Sequence, residues 1–145
     1  MSRIQTVLCA IDVNRPETEA DVLQRAWKLA SAEGAQLDVI SVVPDYGMSV
    51  VGGFFDQDHT NKVVEDVKTM LNDLAVKALG DEVNGKLRHL VAVGKAYQEI
   101  LHVAEKDGAD LIVLGAHAPD LKDYLLGPTA ARVVRHTSSS VYVVR

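Results

Sequence analysis

The chain has 145 residues, 48% of them hydrophobic and 24% charged, and a formal net charge of −5. That length suits one domain burying about 68–70% of the surface its unfolded chain exposes, and without repeats or low-complexity tracts the chain is neither disordered nor a solenoid. The acidic balance excludes general binding to nucleic acid or to an anionic membrane surface, because both need concentrated basic charge.

The first element is a short apolar strand, Ile4–Asp12 (IQTVLCAID), with Asp12 at its end. A helical pattern follows from Pro16 to about Glu33, with Val22, Leu23, Ala26, Trp27 and Ala30 at three-to-four spacing. Gln36–Val43 (QLDVISVV) is the second strand. A second helix spans about His59 to Leu79, carrying Val63, Val67, Met70, Leu74 and Ala78 on one face. Lys86–Val93 is the third strand, and Ala96 to about Lys106 the third helix, closed by Gly108. Asp110–Gly115 is the fourth strand, Pro128 to about His136 the fourth helix, and Ser140–Val144 the fifth strand.

This βαβαβαβαβ order predicts an α/β fold: one domain over residues 1–145, with a doubly wound, five-stranded parallel sheet and helices on both faces. The near-continuous apolar strands fit burial on both sides. Small molecules bind such sheets beyond the carboxyl ends of the strands, where the strand order reverses. The loops to inspect are therefore 12–15, 43–58, 93–96 and 115–128. The N-terminus lacks the long apolar core of a signal peptide, and no stretch reaches membrane-spanning length, so a cytoplasmic protein is expected. Cys9, the sole cysteine, sits in an apolar run and reads as a buried, inert thiol.

Asp12 has two readings of equal weight. It is a strand-end carboxylate able to accept hydrogen bonds from an amine or a sugar hydroxyl, or a turn residue ahead of Asn14-Arg15-Pro16. A receiver-type phosphoacceptor is excluded, because no further acidic residues flank it and no late lysine accompanies it. Gly94-Lys95 could present amides and a positive charge to an anion, but it lacks the spaced glycine and the Ser/Thr of a P-loop and reads as a strand-to-helix turn. The 115–136 stretch, GAHAPDLKDYLLGPTAARVVRH, sets Gly115 at a strand end and Gly127 before a helix whose first turn is Pro128-Thr129-Ala130. Free amides and the helix dipole favour an anion there, and Thr129 adds a hydroxyl; against this, proline at N1 is ordinary helix punctuation and has no N–H. His59, His89, His102, His117 and His136 show no metal-ligand spacing, and no nucleophile elbow is present. Met48–Phe55 is an apolar, glycine-hinged loop that suits a lid, a partner contact or packing on its own domain.

The segments VLCAID, VISVV, VAVGKAYQEIL, ADLIVLGAH and LLGPTAARVVRHTSSSVYVVR together resemble the universal stress protein family over essentially the whole chain, in particular its bacterial F/G subgroup. The resemblance implies a Rossmann-like fold of the adenine nucleotide alpha hydrolase type and binding of ATP, with or without Mg2+, in a stress-response role. It implies that Ala10, Asp12 and the backbone around Val42 hold adenine and ribose, while Gly115, His117, Gly127, Pro128, Thr129 and Ala130 hold the phosphates. It also implies a homodimer through the last strand, Val141–Val144. Three departures from the family's G-x2-G-x9-G-[ST] signature stand out: Ala118 replaces its second glycine, the spacing to Gly127 is one residue short, and Pro128 replaces the Ser or Thr. A weak ATPase or autophosphorylating enzyme, and a nucleotide-independent interaction module using the Val50–Phe55 loop, are the alternative functions. No resident metal or permanent cofactor is expected.

Overall fold

The computed structural model describes residues 3–44, 57–116 and 126–145. In chain order the elements are β1 (Thr6–Ala10), α1 (Pro16–Glu33), β2 (Gln36–Val43), α2 (Gln57–Leu79), α3 (Asp81–Asn84), β3 (Arg88–Val93), α4 (Ala96–Asp107), β4 (Leu111–Gly115), α5 (Pro128–His136) and β5 (Ser140–Val144). The five strands form one sheet in the order β3-β2-β1-β4-β5, with every neighbouring pair parallel. The chain winds outward from β1 through β2 to β3, then returns to the other side of β1 for β4 and β5. The strand order therefore reverses between β1 and β4, and a crevice opens beyond their carboxyl ends.

Alternation along β1 divides the core in two. Val7 and Cys9 face one side, packed with Val22, Leu23, Ala26 and Ala30 of α1 and Leu71, Leu74 and Ala75 of α2. Leu8 and Ala10 face the other, packed with Ile100 and Ala104 of α4 and Ala130 and Val133 of α5. Helices thus cover both faces, as the apolar strands require. Leu8, Ile40 and Ile112 are fully enclosed, and each such side chain stabilises the fold by about 1.5–3 kcal/mol.

Helix ends follow local chemistry. Pro16 opens α1 with Glu17 and Glu19 in its first turn, where the helix dipole favours negative charge. Gly34 closes it at φ 65°, a left-handed conformation that glycine adopts without a Cβ clash, and its N–H donates back into the last turn. At the sheet edge away from the crevice, Asp110 accepts the amides of Gln5 (2.8 Å) and Thr6 (3.1 Å), tying β4 to β1 and holding its own carboxyl below the usual range.

Two sequence expectations need correction. The first strand ends at Ala10 rather than Asp12: the Ile11 N–H still reaches the Ile40 carbonyl at 2.8 Å, but at Asp12 the chain turns. The short helix α3, framed by Gly80 and Gly85, was not expected, because four residues are too few to show a helical period.

Candidate functional site

Asp12 lies just past β1, in the turn leading into α1. Its Oδ1 accepts the Asn14 N–H at 3.0 Å and its carbonyl accepts the Arg15 N–H at 3.1 Å. Its own N–H donates to Glu19 Oε1 at 2.7 Å. The turn reading of Asp12 is met by one carboxylate oxygen, at an exposed position that also lines the cleft described next. Glu19 was not singled out from the sequence. Burial pushes its carboxyl up from the usual range and the Asp12 charge adds to this, while the Asp12 amide and Arg15 oppose it.

A cleft of about 280 Å3 opens at the crevice. Ala10, Ile11, Asp12, Asn14 and Glu19 come from the β1–α1 connection, Ile40, Val42 and Pro44 from the end of β2, and Ala96 and Ile100 from α4. Leu114 and Gly115 of β4 and Thr129 of α5 complete the lining. Apolar walls with a few converging polar groups are typical of a small-molecule site. Gly115 leaves little room to spare: a Cβ there would come within 3.3 Å of Glu19 Oε2 and Val22 Cγ2.

At the start of α5 the donors are fewer than a glycine-rich cradle suggests. The Gly127 N–H is engaged by the Ala116 carbonyl at 2.9 Å, and Pro128 has none. The amides of Thr129 and Ala130 remain, with no side-chain cap, beside the Thr129 hydroxyl. Gly127 itself, at φ −72° and ψ 168°, has a backbone conformation open to any residue.

Of the expected site residues, Ala10, Asp12, Val42, Gly115 and Thr129 share the cleft. Gly127 and Ala130 are buried at the start of α5 and Pro128 is exposed beside them, none of the three lining the cleft directly. His117, Ala118 and the Met48–Phe55 loop lie outside the described residues. Asn14, Glu19, Pro44, Ala96 and Ile100 are cleft residues not singled out from the sequence. Behind the cleft Cys9 is buried, and burial together with the Glu19 charge pushes its thiol well above the ordinary range. Among the described residues no three His, Cys, Asp or Glu side chains gather as a metal site, and no helix is long and apolar enough to cross a membrane.

Comparison with known proteins agrees with this architecture. The profile of the universal stress protein family matches residues 3–145. Universal stress protein G of Escherichia coli O157:H7 is 25% identical over 97% of this chain and 99% of its own length, and universal stress protein A homolog 2 of Coxiella burnetii is 28% identical over 100% and 97%. Universal stress protein MJ0577 of Methanocaldococcus jannaschii is 30% identical over 63% of this chain, a match spanning 56% of the relative's length. The solved structure of MJ0577 superposes with a TM-score of 0.80 at 24% identity, covering 99% of this chain and 96% of that one. A universal stress protein in complex with cAMP gives 0.68 at 21% identity, covering 99% and 98%. The Archaeoglobus fulgidus protein in complex with dAMP gives 0.65 at 16%, covering 99% and 100%. With a match across nearly the whole chain and the same doubly wound sheet, this protein belongs to the universal stress protein family.

Proposed function

We propose that this protein is a cytoplasmic, homodimeric stress-response regulator that binds an adenine nucleotide in the cleft between β1 and β4. The observation that carries the reading is the meeting of Asp12, Val42, Gly115 and Thr129, from four separate segments, around one cavity at the reversal of strand order. Asp12 Oδ2 accepts a hydrogen bond from the ribose hydroxyls or the adenine amine, the apolar wall of Ile40, Val42 and Ile100 takes the base, and Thr129 with the Ala130 amide takes the first phosphate. Complexes of related proteins with cAMP and dAMP support an adenine ligand. Mg2+ enters, in this reading, on the nucleotide's own phosphates.

The dimer rests on β5, which lies at one edge of the sheet with a half-buried, valine-rich face and no further strand beyond it among the described residues. Sedimentation of the purified chain checks it, with a monomer at all concentrations as the contrary result.

Thermal melting with added nucleotide tests the ligand. Saturation at a hundredfold over Kd adds about 2.7 kcal/mol of stability, and therefore a shift of several degrees. An unchanged melting temperature with millimolar AMP, ADP and ATP would overturn the reading.

A further inference from the structure

Toward the amino ends of the strands, opposite the cleft, Asp38 is the one charged residue buried among those described, with 1% of it exposed. It stands on β2 in register with Leu8 of β1 and Arg88 of β3, and alternation with Val39 turns it to the face that carries Ile40 and α4. Asp107, the last residue of α4, meets it there. Three carboxylate oxygens, Asp38 Oδ1 and Oδ2 and Asp107 Oδ2, are buried and find no hydrogen-bond donor among the described residues. Arg88 Nη1 holds Asp107 Oδ1 at 3.0 Å but stands 3.8 Å from Asp38 Oδ2, and its side chain is 59% exposed. Gln36 Nε2 is spent on the carbonyls of Leu37 (3.0 Å) and Lys86 (3.2 Å). Lys106 lines the groove outside Arg88 and Asp107 from an exposed position, and His89 points to the other face of the sheet, 2.7 Å from Asn84 Oδ1.

One guanidinium does not neutralise two carboxylates, and three buried acceptors without a donor are costly. A single proton between the carboxyls removes both difficulties: it turns a repelling pair into a hydrogen bond and leaves one negative charge, which Arg88 balances. We propose that Asp38 and Asp107 share one proton, and that this proton is a latch fastening the last turn of α4 to β2, released as pH rises. Release leaves both groups as carboxylates and passes the proton to water. Asp38 is fixed on a strand paired on both sides, so Asp107 is the group that moves. It ends its helix just before Gly108, which takes the left-handed φ of 68°, and it borders a groove of about 230 Å3 lined also by Arg88, Leu90, Val103 and Lys106. A carboxylate in the last turn also opposes the helix dipole, which favours opening there. Burial, then the hydrogen bond and charge of Asp107, push the Asp38 carboxyl up to about 7. A carboxyl raised in the closed state holds the latch fully below its ordinary value of about 4, and the hold weakens as pH rises to about 7.

Two measurements on the full chain test this. In carboxyl-carbon NMR the Asp38 carbon should titrate near pH 7, with the Asp107 carbon shifting over the same interval. This needs no variant, so it decides the matter even if a substitution misfolds. Amide hydrogen exchange reads the structural response at Gly108 and Ala109, whose N–H groups cap α4 on the carbonyls of Glu105 (3.3 Å) and Ala104 (2.9 Å). Corrected for the intrinsic rate, their protection should fall at least about tenfold between about pH 5 and about pH 8. Asp38→Asn supplies the donor permanently and should keep that protection across the range. An Asp38 carbon that titrates while the Asp107 carbon stays still, or an Asp38 already ionised at about pH 5, overturns the shared proton. Protection that is independent of pH in the native chain, or that falls equally in Asp38→Asn, overturns the latch.

Discussion

Glu19 Oε1 holds the Asp12 N–H at 2.7 Å, so a carboxylate on the first turn of α1 fixes the backbone of the residue proposed to read the nucleoside. Two acidic side chains thus stand together at the mouth of a cleft proposed to bind an anion. Glu19 spends one carboxylate oxygen on the Asp12 amide, while burial and the Asp12 charge raise its carboxyl against the opposing effects of that amide and Arg15.

Removing that acceptor should loosen the turn. Glu19→Ala leaves the Asp12 amide without its partner and costs about 1–3 kcal/mol of stability, with weaker nucleotide binding. Glu19→Gln keeps an oxygen in place and retains most of both. Denaturant melts and calorimetry on the two variants check this, and equal loss in both would show that charge rather than the hydrogen bond matters.

Pro128 removes one amide from the start of α5, and Pro128→Ser restores an N–H and adds a hydroxyl. Nucleotide affinity should rise by about tenfold, the worth of one hydrogen bond to a charged phosphate. Titration calorimetry measures it. An unchanged affinity would mean that the ligand's phosphates do not approach the first residues of this helix.

Gly115 has no room for a larger side chain. Gly115→Val drives a branched group against Glu19 and Val22, which a bare Cβ already approaches to 3.3 Å. The variant should lose about 1–3 kcal/mol of stability and most of its nucleotide binding. Undiminished binding in a folded variant would move the ligand away from the end of β4.

Away from the cleft, Asp38 of β2 is 1% exposed and faces Asp107, while Arg88 reaches Asp107 at 3.0 Å and Asp38 at 3.8 Å. Burial, then the hydrogen bond and charge of Asp107, push the Asp38 carboxyl up to about 7, against smaller opposing effects of Arg88 and Gln36. A carboxyl raised in the folded state contributes stability that is fully present below its ordinary value and is lost as pH rises through about 7. His89, lowered by burial, acts in the opposite sense, so the difference from Asp38→Asn isolates the effect. The melting temperature of the native chain should fall relative to that of Asp38→Asn between about pH 4 and about pH 7 and level off above. Parallel pH profiles would contradict a raised Asp38 carboxyl.

Most of the fold was legible because the signals were strong and repeated. β2 and β5 have the bounds their β-branched runs announced, and α1 runs from Pro16 to Glu33 as its punctuation indicated. The strand order was legible only as a class, since periodicity says which residues are buried but not which strands are neighbours. Asp12, Gly115 and Thr129 could be singled out because strand ends and helix starts are where a parallel sheet exposes its binding edge, whereas Val42 came only from the family resemblance. Glu19 was not legible, because its role depends on a hydrogen bond seven residues back along the chain. Nor was the fate of the Gly127 amide, whose partner is the carbonyl of Ala116. Asp38 could not be told from any polar interruption of a strand until Arg88 and Asp107 were seen beside it.

The most direct test of the nucleotide site is equilibrium binding of AMP and ATP to the purified protein and to Asp12→Ala. The account predicts saturable binding of one adenine nucleotide per chain, weakened about tenfold or more in the variant, as expected when a carboxylate–hydroxyl hydrogen bond is removed. Absence of binding at millimolar nucleotide, or full affinity in Asp12→Ala, would contradict it.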